Sequence, residues 1–271
     1  MNKKIIPFII LGIALVNLGF YLNNKNSKEI DLVEGYKQAK WSSNTNVSFN
    51  NGKIIYKSDG IPNHKRNSMY ALPNNGVMMP TALTAYAGND PTVAQNYDYP
   101  ITTKPQKAKA TTPTSLGVIG VMISGAALFN PFEVDNNTVA KKSNFAIKDT
   151  NGNDVFFLDD CNGHPTPMGQ YHYHALPKCV TQTVDIVNGP SHIIGIAFDG
   201  YPIYGNMDID GKQIIASQLD SCNGITSKTP EFPNGVYHYV LLDTNDASSS
   251  IQCFSGEVDS QLLQKMKMPN M

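Results

Sequence analysis

One short pattern occurs twice in this chain and limits what the chain can fold into. Leu158-Asp159-Asp160-Cys161-Asn162-Gly163 returns as Leu219-Asp220-Ser221-Cys222-Asn223-Gly224. Gly169-Gln170-Tyr171-His172-Tyr173-His174 returns as Gly235-Val236-Tyr237-His238-Tyr239-Val240. A further cysteine closes each copy, Cys179 in the first and Cys253 in the second. Matched features in one order mark a duplicated unit of strand, turn, loop, strand and cysteine, at about residues 155–179 and 216–253. These are the chain's 4 cysteines, an even number that in an exported protein implies two disulfides. The simplest pairing closes each unit on itself, Cys161 with Cys179 and Cys222 with Cys253. Each bond then contributes about 3–4 kcal/mol through loop-closure entropy. Pairing between copies, such as Cys161 with Cys222, is also compatible with the sequence. No C-x-x-C pair occurs, so neither a thioredoxin-like centre nor a cysteine-rich zinc knuckle is indicated.

The rest of the chain reads as β structure. With 21 Gly, 17 Pro and 28 Asn, turns should be frequent and long helices few. Strands are expected at Val47–Phe49 and Lys53–Lys57 around an Asn50-Asn51-Gly52 turn, and at Val155–Leu158, Ile193–Phe198, Gln213–Ala216 and Val236–Leu242. Leu116 to Phe129, apolar and interrupted by glycine, reads as a pair of buried strands around a Gly turn. Asn89 to Pro113, rich in Pro, Thr and Lys, is expected to be an exposed irregular connection. Asp208-Ile209-Asp210-Gly211 reads as a turn, and Asp259–Lys267 as a short terminal helix. The expected fold is mostly β, a single sandwich- or barrel-like domain over residues 26–256 containing the duplicated unit, with a tail at 257–271.

Residues 1–25 read as a signal peptide or membrane anchor. Lys3 and Lys4 precede an apolar run from Ile5 to Leu22, the arrangement that export machinery recognises. No small-x-small cleavage site or lipid-accepting cysteine follows it, and its length lies between a signal core and a membrane span. Either way the remainder is expected outside the cytoplasm, in the periplasm, in the cell envelope or secreted, and held at the inner membrane if the segment stays uncleaved. The formal charge is −1 and Arg66 is the single arginine, which argues against a nucleic-acid partner. No Walker loop or G-x-G-x-x-G motif is present, so no nucleotide cofactor is expected. G-x-S-x-G and H-E-x-x-H are missing as well.

The chemistry-bearing residues are histidines. On a strand His172 and His174 point to one face, about 6–7 Å apart, with Tyr171 and Tyr173 on the other. His164, in the loop after Cys161, is brought beside that strand if Cys161 pairs with Cys179. Three imidazoles so placed form a candidate zinc or copper shell, and their nitrogens should then approach within about 4 Å of one another. His238 takes the place of His172 in the second copy, where Ile225 and Val240 replace the other two histidines. His64, His238 and Asp199 are second-rank site candidates, and His192 follows a turn signal. No catalytic residue is assigned.

These motifs resemble the YHYH-domain family, whose tetrad stands here at Tyr171-His172-Tyr173-His174. The resemblance extends to Ser58–His64, Asp160–His164, His192–Gly205 and Cys253–Gly256. It implies an exported domain and carries no established activity with it. The residues themselves suggest a metal-binding protein, and a metal-dependent hydrolase if a fourth ligand position is open to water. The competing reading is a non-enzymatic envelope binding module for a glycan or protein, with structural histidines; a purely structural envelope protein is a third.

Overall fold

A computed structural model describes residues 31–74 and 80–266. The N-terminal segment expected to serve as signal or anchor lies outside the described residues. Among the described residues no helix is long and apolar enough to cross a membrane.

After a single helical turn, α1 (Val33–Tyr36), the chain forms the hairpin of β1 (Thr45–Asn50) and β2 (Lys53–Ser58). Its turn works because Asn51 and Gly52 both take left-handed backbone angles, φ 49° and 71°, which a two-residue hairpin with the native strand twist requires. β3 (Met69–Pro73) and β4 (Ala85–Asn89) make a separate ribbon. β5 (Tyr97–Thr102) then pairs with β2, and β6 (Lys107–Pro113) follows. The stretch from Asn89 to Pro113 is therefore not irregular. Tyr97, Tyr99 and Ile101 alternate into the core, a period-2 signal that the intervening Pro100 obscures in the sequence. Proline is tolerated because β5 is the edge of its three-stranded sheet. This sheet is tied to the rest of the molecule by Tyr56, whose hydroxyl donates to the Met122 carbonyl (3.0 Å), and by Ser58, which donates to that of Gly125 (2.7 Å).

The remaining strands build the main sheet. In chain order they are β7 (Gly120–Met122), β8 (Ala127–Leu128), a small ribbon of β9 (Ile147–Lys148) with β10 (Asp154–Val155), then β11 (Gly163–Pro165) and β12 (Tyr171–Tyr173). After helix α2 (Lys178–Val184) come β13 (Ile193–Ala197), β14 (Pro202–Tyr204), β15 (Gly224–Ser227) and β16 (Val236–Val240). β17 (Cys253–Gly256) pairs with β6, and α3 (Ser260–Met266) supplies the expected terminal helix. Two expected strands shrink. Val155–Leu158 contributes only its first residue to β10. Gln213–Ala216 reduces to one bridge, Met207 to Gln213, followed by a 3-10 turn at Ala216–Gln218. There Ile214 is buried while Ile215 is 54% exposed, so the apolar pair has only one side to bury. Cys179, which closes the first unit, sits in α2.

The fold is mostly β, with a large curled eight-stranded sheet ordered β11-β12-β8-β7-β13-β14-β16-β15. That order is a palindrome. At each end an antiparallel pair (β11·β12, β15·β16) joins a hairpin (β7·β8, β13·β14) through a parallel contact. At the centre β7 and β13 pair reciprocally, Gly120 with Ala197 and Met122 with Gly195. Flanking bonds repeat the symmetry: Ile123 N–H donates to the Ile194 carbonyl (2.9 Å) and Phe198 N–H to that of Ile119 (3.0 Å). The duplication thus begins earlier than the sequence echo. Gly120 corresponds to Gly195, Ser124 to Asp199, Gly125 to Gly200 and Phe129 to Tyr204. A Cβ on Gly195 would stand 2.6 Å from the Val121 carbonyl oxygen, and one on Gly120 2.8 Å from that of Ile196. Both glycines are there so that the two backbones can close on the pseudo-twofold. Gly195→Ala should destabilise the protein by about 1–3 kcal/mol through this overpacking, seen as a lower urea midpoint with an unchanged slope.

Candidate metal centre

The cysteines pair within each unit. Cys161–Cys179 and Cys222–Cys253 are disulfides with Cα separations of 5.5 and 4.7 Å, inside the range a disulfide spans. Ahead of each first cysteine an aspartate organises the turn. Asp159 Oδ1 accepts from Cys161 N (2.9 Å) and Gly163 N (3.2 Å), and Asp220 Oδ1 accepts from Cys222 N (2.9 Å) and Gly224 N (2.8 Å). Asn162 and Asn223 follow with left-handed angles, φ 57° and 65°, a conformation asparagine tolerates better than most residues. This Asp-x-Cys-Asn-Gly turn reverses the chain and starts the strand that carries His164.

In the first copy the reversal aligns three imidazoles. His164 lies directly across from His172 in the β11·β12 register, and His174 follows two residues on. The Nε2 atoms of His172 and His174 are 2.9 Å apart, and those of His164 and His174 3.3 Å. A nitrogen from each of the three lies within 4.8 Å of the others. Two imidazoles on one tetrahedral cation at 2.0–2.1 Å stand about 3.3 Å apart, so the spacing suits shared coordination. The three side chains are buried, at 8%, 2% and 3% exposure. Phe129 stacks on the His172 ring at 3.8 Å, and Phe157 lies 4.1 Å from that of His164.

Hydrogen bonds decide which nitrogen carries the proton. His172 Nδ1 lies 3.1 Å from the Gln170 carbonyl oxygen and His174 Nδ1 2.7 Å from that of Asn130. A carbonyl only accepts, so both Nδ1 atoms carry hydrogen and donate, which leaves both Nε2 lone pairs aimed at each other. Burial pushes His174 down to about 4 and pushes His164 and His172 well below the ordinary imidazole value, the neighbouring histidines adding to the effect on these two. The cluster is neutral at pH 7. Neutral facing lone pairs repel across 2.9 Å; a cation shared between them would relieve that repulsion, and the two carbonyls stand where the outer partners of ligating histidines would stand.

The second copy lacks this arrangement. His238 repeats the backbone bond of His172, Nδ1 to the Val236 carbonyl (3.0 Å), and burial lowers it to about 4. Opposite it, however, is Ile225, and Val240 joins Ile214 and Leu242 in a small apolar cluster. His64 is not with the three histidines either. It lies on the opposite face of β12, where Tyr173 donates to its Nε2 (2.6 Å) and Cys161 Sγ is 3.3 Å away. His192 pairs with the buried Glu231 (Nδ1 to Oε1, 2.8 Å), whose other oxygen accepts from Tyr204 (2.8 Å).

Asp199 is a buried hub away from the cluster. It takes the place that Ser124 has under Tyr173, accepting from the Tyr239 hydroxyl, from Gly256 N (2.9 Å) and from Tyr201 N (3.3 Å). Burial raises its carboxyl to about 6 against those bonds. An acid protonated more readily when folded stabilises fully below its unfolded value of about 3.9 and loses that contribution as pH rises through its folded value. On this group alone, stability falls by up to about 3 kcal/mol between pH of about 4 and about 6. Urea midpoints of the wild type against Asp199→Asn should therefore drift in the variant's favour over that window and run parallel above pH of about 7. Parallel behaviour throughout would show that Asp199 does not titrate there.

Residues that sequence reasoning did not assign to the site are Asn130 and Phe129, which orient and cover the imidazoles, and Asp159, which holds the turn. Only Asp159 had a signal, its repetition as Asp220. Neither curated proteins nor solved structures match the chain. A family model described as YHYH protein does, over residues 98–213 and 208–256. That match takes in the tetrad, the three clustered histidines and all four disulfide cysteines over more than half the chain, and the chain belongs to the YHYH family.

Proposed function

We propose that this is an extracytoplasmic metal-binding protein that holds one zinc or copper ion through Nε2 of His164, His172 and His174. The observation that carries this reading is the tautomer pattern: two backbone carbonyls hold the Nδ1 protons of His172 and His174, so their lone pairs meet at coordination spacing. An all-imidazole set suits zinc or copper better than the hard oxygen-seeking cations. Phe129 and Phe157 over the rings, only 2% and 4% exposed, favour a resident ion in a closed centre over hydrolysis, which needs a ligand position open to water and substrate. The apolar amino-terminal run behind two lysines and the two disulfides support export.

Elemental analysis of tag-free protein after zinc or copper loading and desalting should find about one ion per chain. Metal-free protein after both loadings would leave the histidines as structural groups and favour the binding-module reading. For location, an alkaline phosphatase fusion after residue 40 should be active, since that reporter needs disulfides formed outside the reducing cytoplasm; an inactive fusion argues against export.

A further inference from the structure

We propose that Cys161, Cys179 and His64 form a second, redox-gated metal site, which takes a thiophilic cation of the zinc or copper(I) class when the disulfide is reduced. The ligand atoms of these three residues lie within 4.8 Å of one another, on the face of β12 opposite the histidine cluster. His64 Nε2 is 3.3 Å from Cys161 Sγ. Its Nδ1 donates to the Lys65 carbonyl (2.9 Å), which places the lone pair on Nε2, toward the sulfur. Tyr173 donates to that same lone pair (2.6 Å) and can turn instead to Ser124, 2.9 Å away. The ring is therefore oriented in advance, and its present partner has an alternative. Two thiolates and an imidazole are a zinc-type donor set.

The duplicated unit supplies an internal comparison. Cys222–Cys253 repeats the disulfide, yet among the described residues these two cysteines belong to no such group. A bond serving only as a staple needs no imidazole against it, and among the described residues none joins the two cysteines of the second copy. Access also differs. Cys179 and His64 are half-buried, whereas Cys222 and Cys253 are both buried, at 1% and 9% exposure.

The chemistry balances with an external dithiol as the reductant. Its thiolate attacks Cys179 Sγ. The S–S bond breaks, and the electron pair stays on Cys161 Sγ, which takes a proton from solvent through His64 Nε2. The reductant's second thiol then displaces Cys179 as a thiol and leaves as a cyclic disulfide, so two electrons and two protons have entered the protein. A divalent cation binding the two sulfurs releases those two protons.

The test is anaerobic titration of the full chain with dithiothreitol, thiol mapping by mass spectrometry, desalting, and addition of Co2+ as a probe for zinc sites. Cys161 and Cys179 should be freed first, with the near-ultraviolet circular dichroism of the folded protein retained. Bound Co2+ should rise by about one per chain over the oxidised protein, with a thiolate-to-cobalt charge-transfer band that an all-histidine site does not produce. His64→Ala should keep the thiol count and weaken this binding by about tenfold or more. His172→Ala/His174→Ala should keep the band, so failure of the histidine cluster and failure of this site are told apart. Opening of Cys222–Cys253 first, loss of the fold when only Cys161–Cys179 is reduced, absence of the band, or a band unchanged in His64→Ala would each overturn the proposal.

Discussion

The His172→Ala/His174→Ala protein should bind no zinc or copper at the cluster, and its melting temperature should not respond to either metal. The wild type should respond strongly. A ligand that binds only the folded state, at a free concentration a thousandfold above its Kd, stabilises by about 4 kcal/mol. For a domain of this size that corresponds to a rise of about 8–16 °C. A chelator should remove the rise from the wild type and leave the double variant where it was. The readout is the difference between loaded and chelated protein. Absolute stability is a poorer measure, because truncating two buried imidazoles also leaves cavities. A wild-type melting temperature indifferent to both metals would defeat the proposed function.

The second large effect is expected at Asp159, with its duplicate as control. Asp159→Ala removes the acceptor for Tyr70 (2.9 Å), Tyr171 (2.7 Å), Cys161 N and Gly163 N, all at a carboxylate only 2% exposed. Hydrogen bonds to charged groups contribute about 1.5–3 kcal/mol each, and buried donors left unpaired add to the loss. Since these bonds share one residue and do not sum, we expect a cost of about 3–4 kcal/mol. Asp220 makes the same two backbone bonds and one to Tyr237 (2.9 Å), but it is exposed. Asp220→Ala should cost about 1–2 kcal/mol, because water can replace what is lost. Only the Asp159 variant should also weaken metal binding, since its turn places β11 and with it His164. Denaturant midpoints and metal titrations of the two variants give the comparison; equal costs would show that the two turns carry equal weight and that burial is not the deciding factor.

The site was legible to the extent that it is local. His172 and His174 share a face because strand side chains alternate, and His164 was legible through the cysteine that tethers its loop. The palindromic sheet was half hidden. Its outer strands keep Cys-Asn-Gly and Tyr-His-Tyr, which can be matched by eye. Its inner hairpins keep little beyond Gly120 with Gly195 and Gly125 with Gly200, because a buried hairpin needs only apolar volume and two places where a side chain cannot fit. The error at Asn89–Pro113 has a related cause: proline and threonine are turn-like by composition, yet acceptable on an edge strand whose alternate residues are buried tyrosine and isoleucine.

From sequence alone came the β class, the within-unit disulfides as the simplest pairing, and the three histidines, because each depends on residue type and on spacings of a few positions. The structure alone decided that carbonyls at Gln170 and Asn130 hold two of the protons, that phenyl rings close the cluster, and that His64 stands against a disulfide instead of joining the other imidazoles. The Gln170 bond is local to its strand, but Asn130 with His174, Phe129 with His172 and Cys161 with His64 are pairs brought together from distant points of the chain, and no periodicity within one segment encodes which partner a side chain will meet.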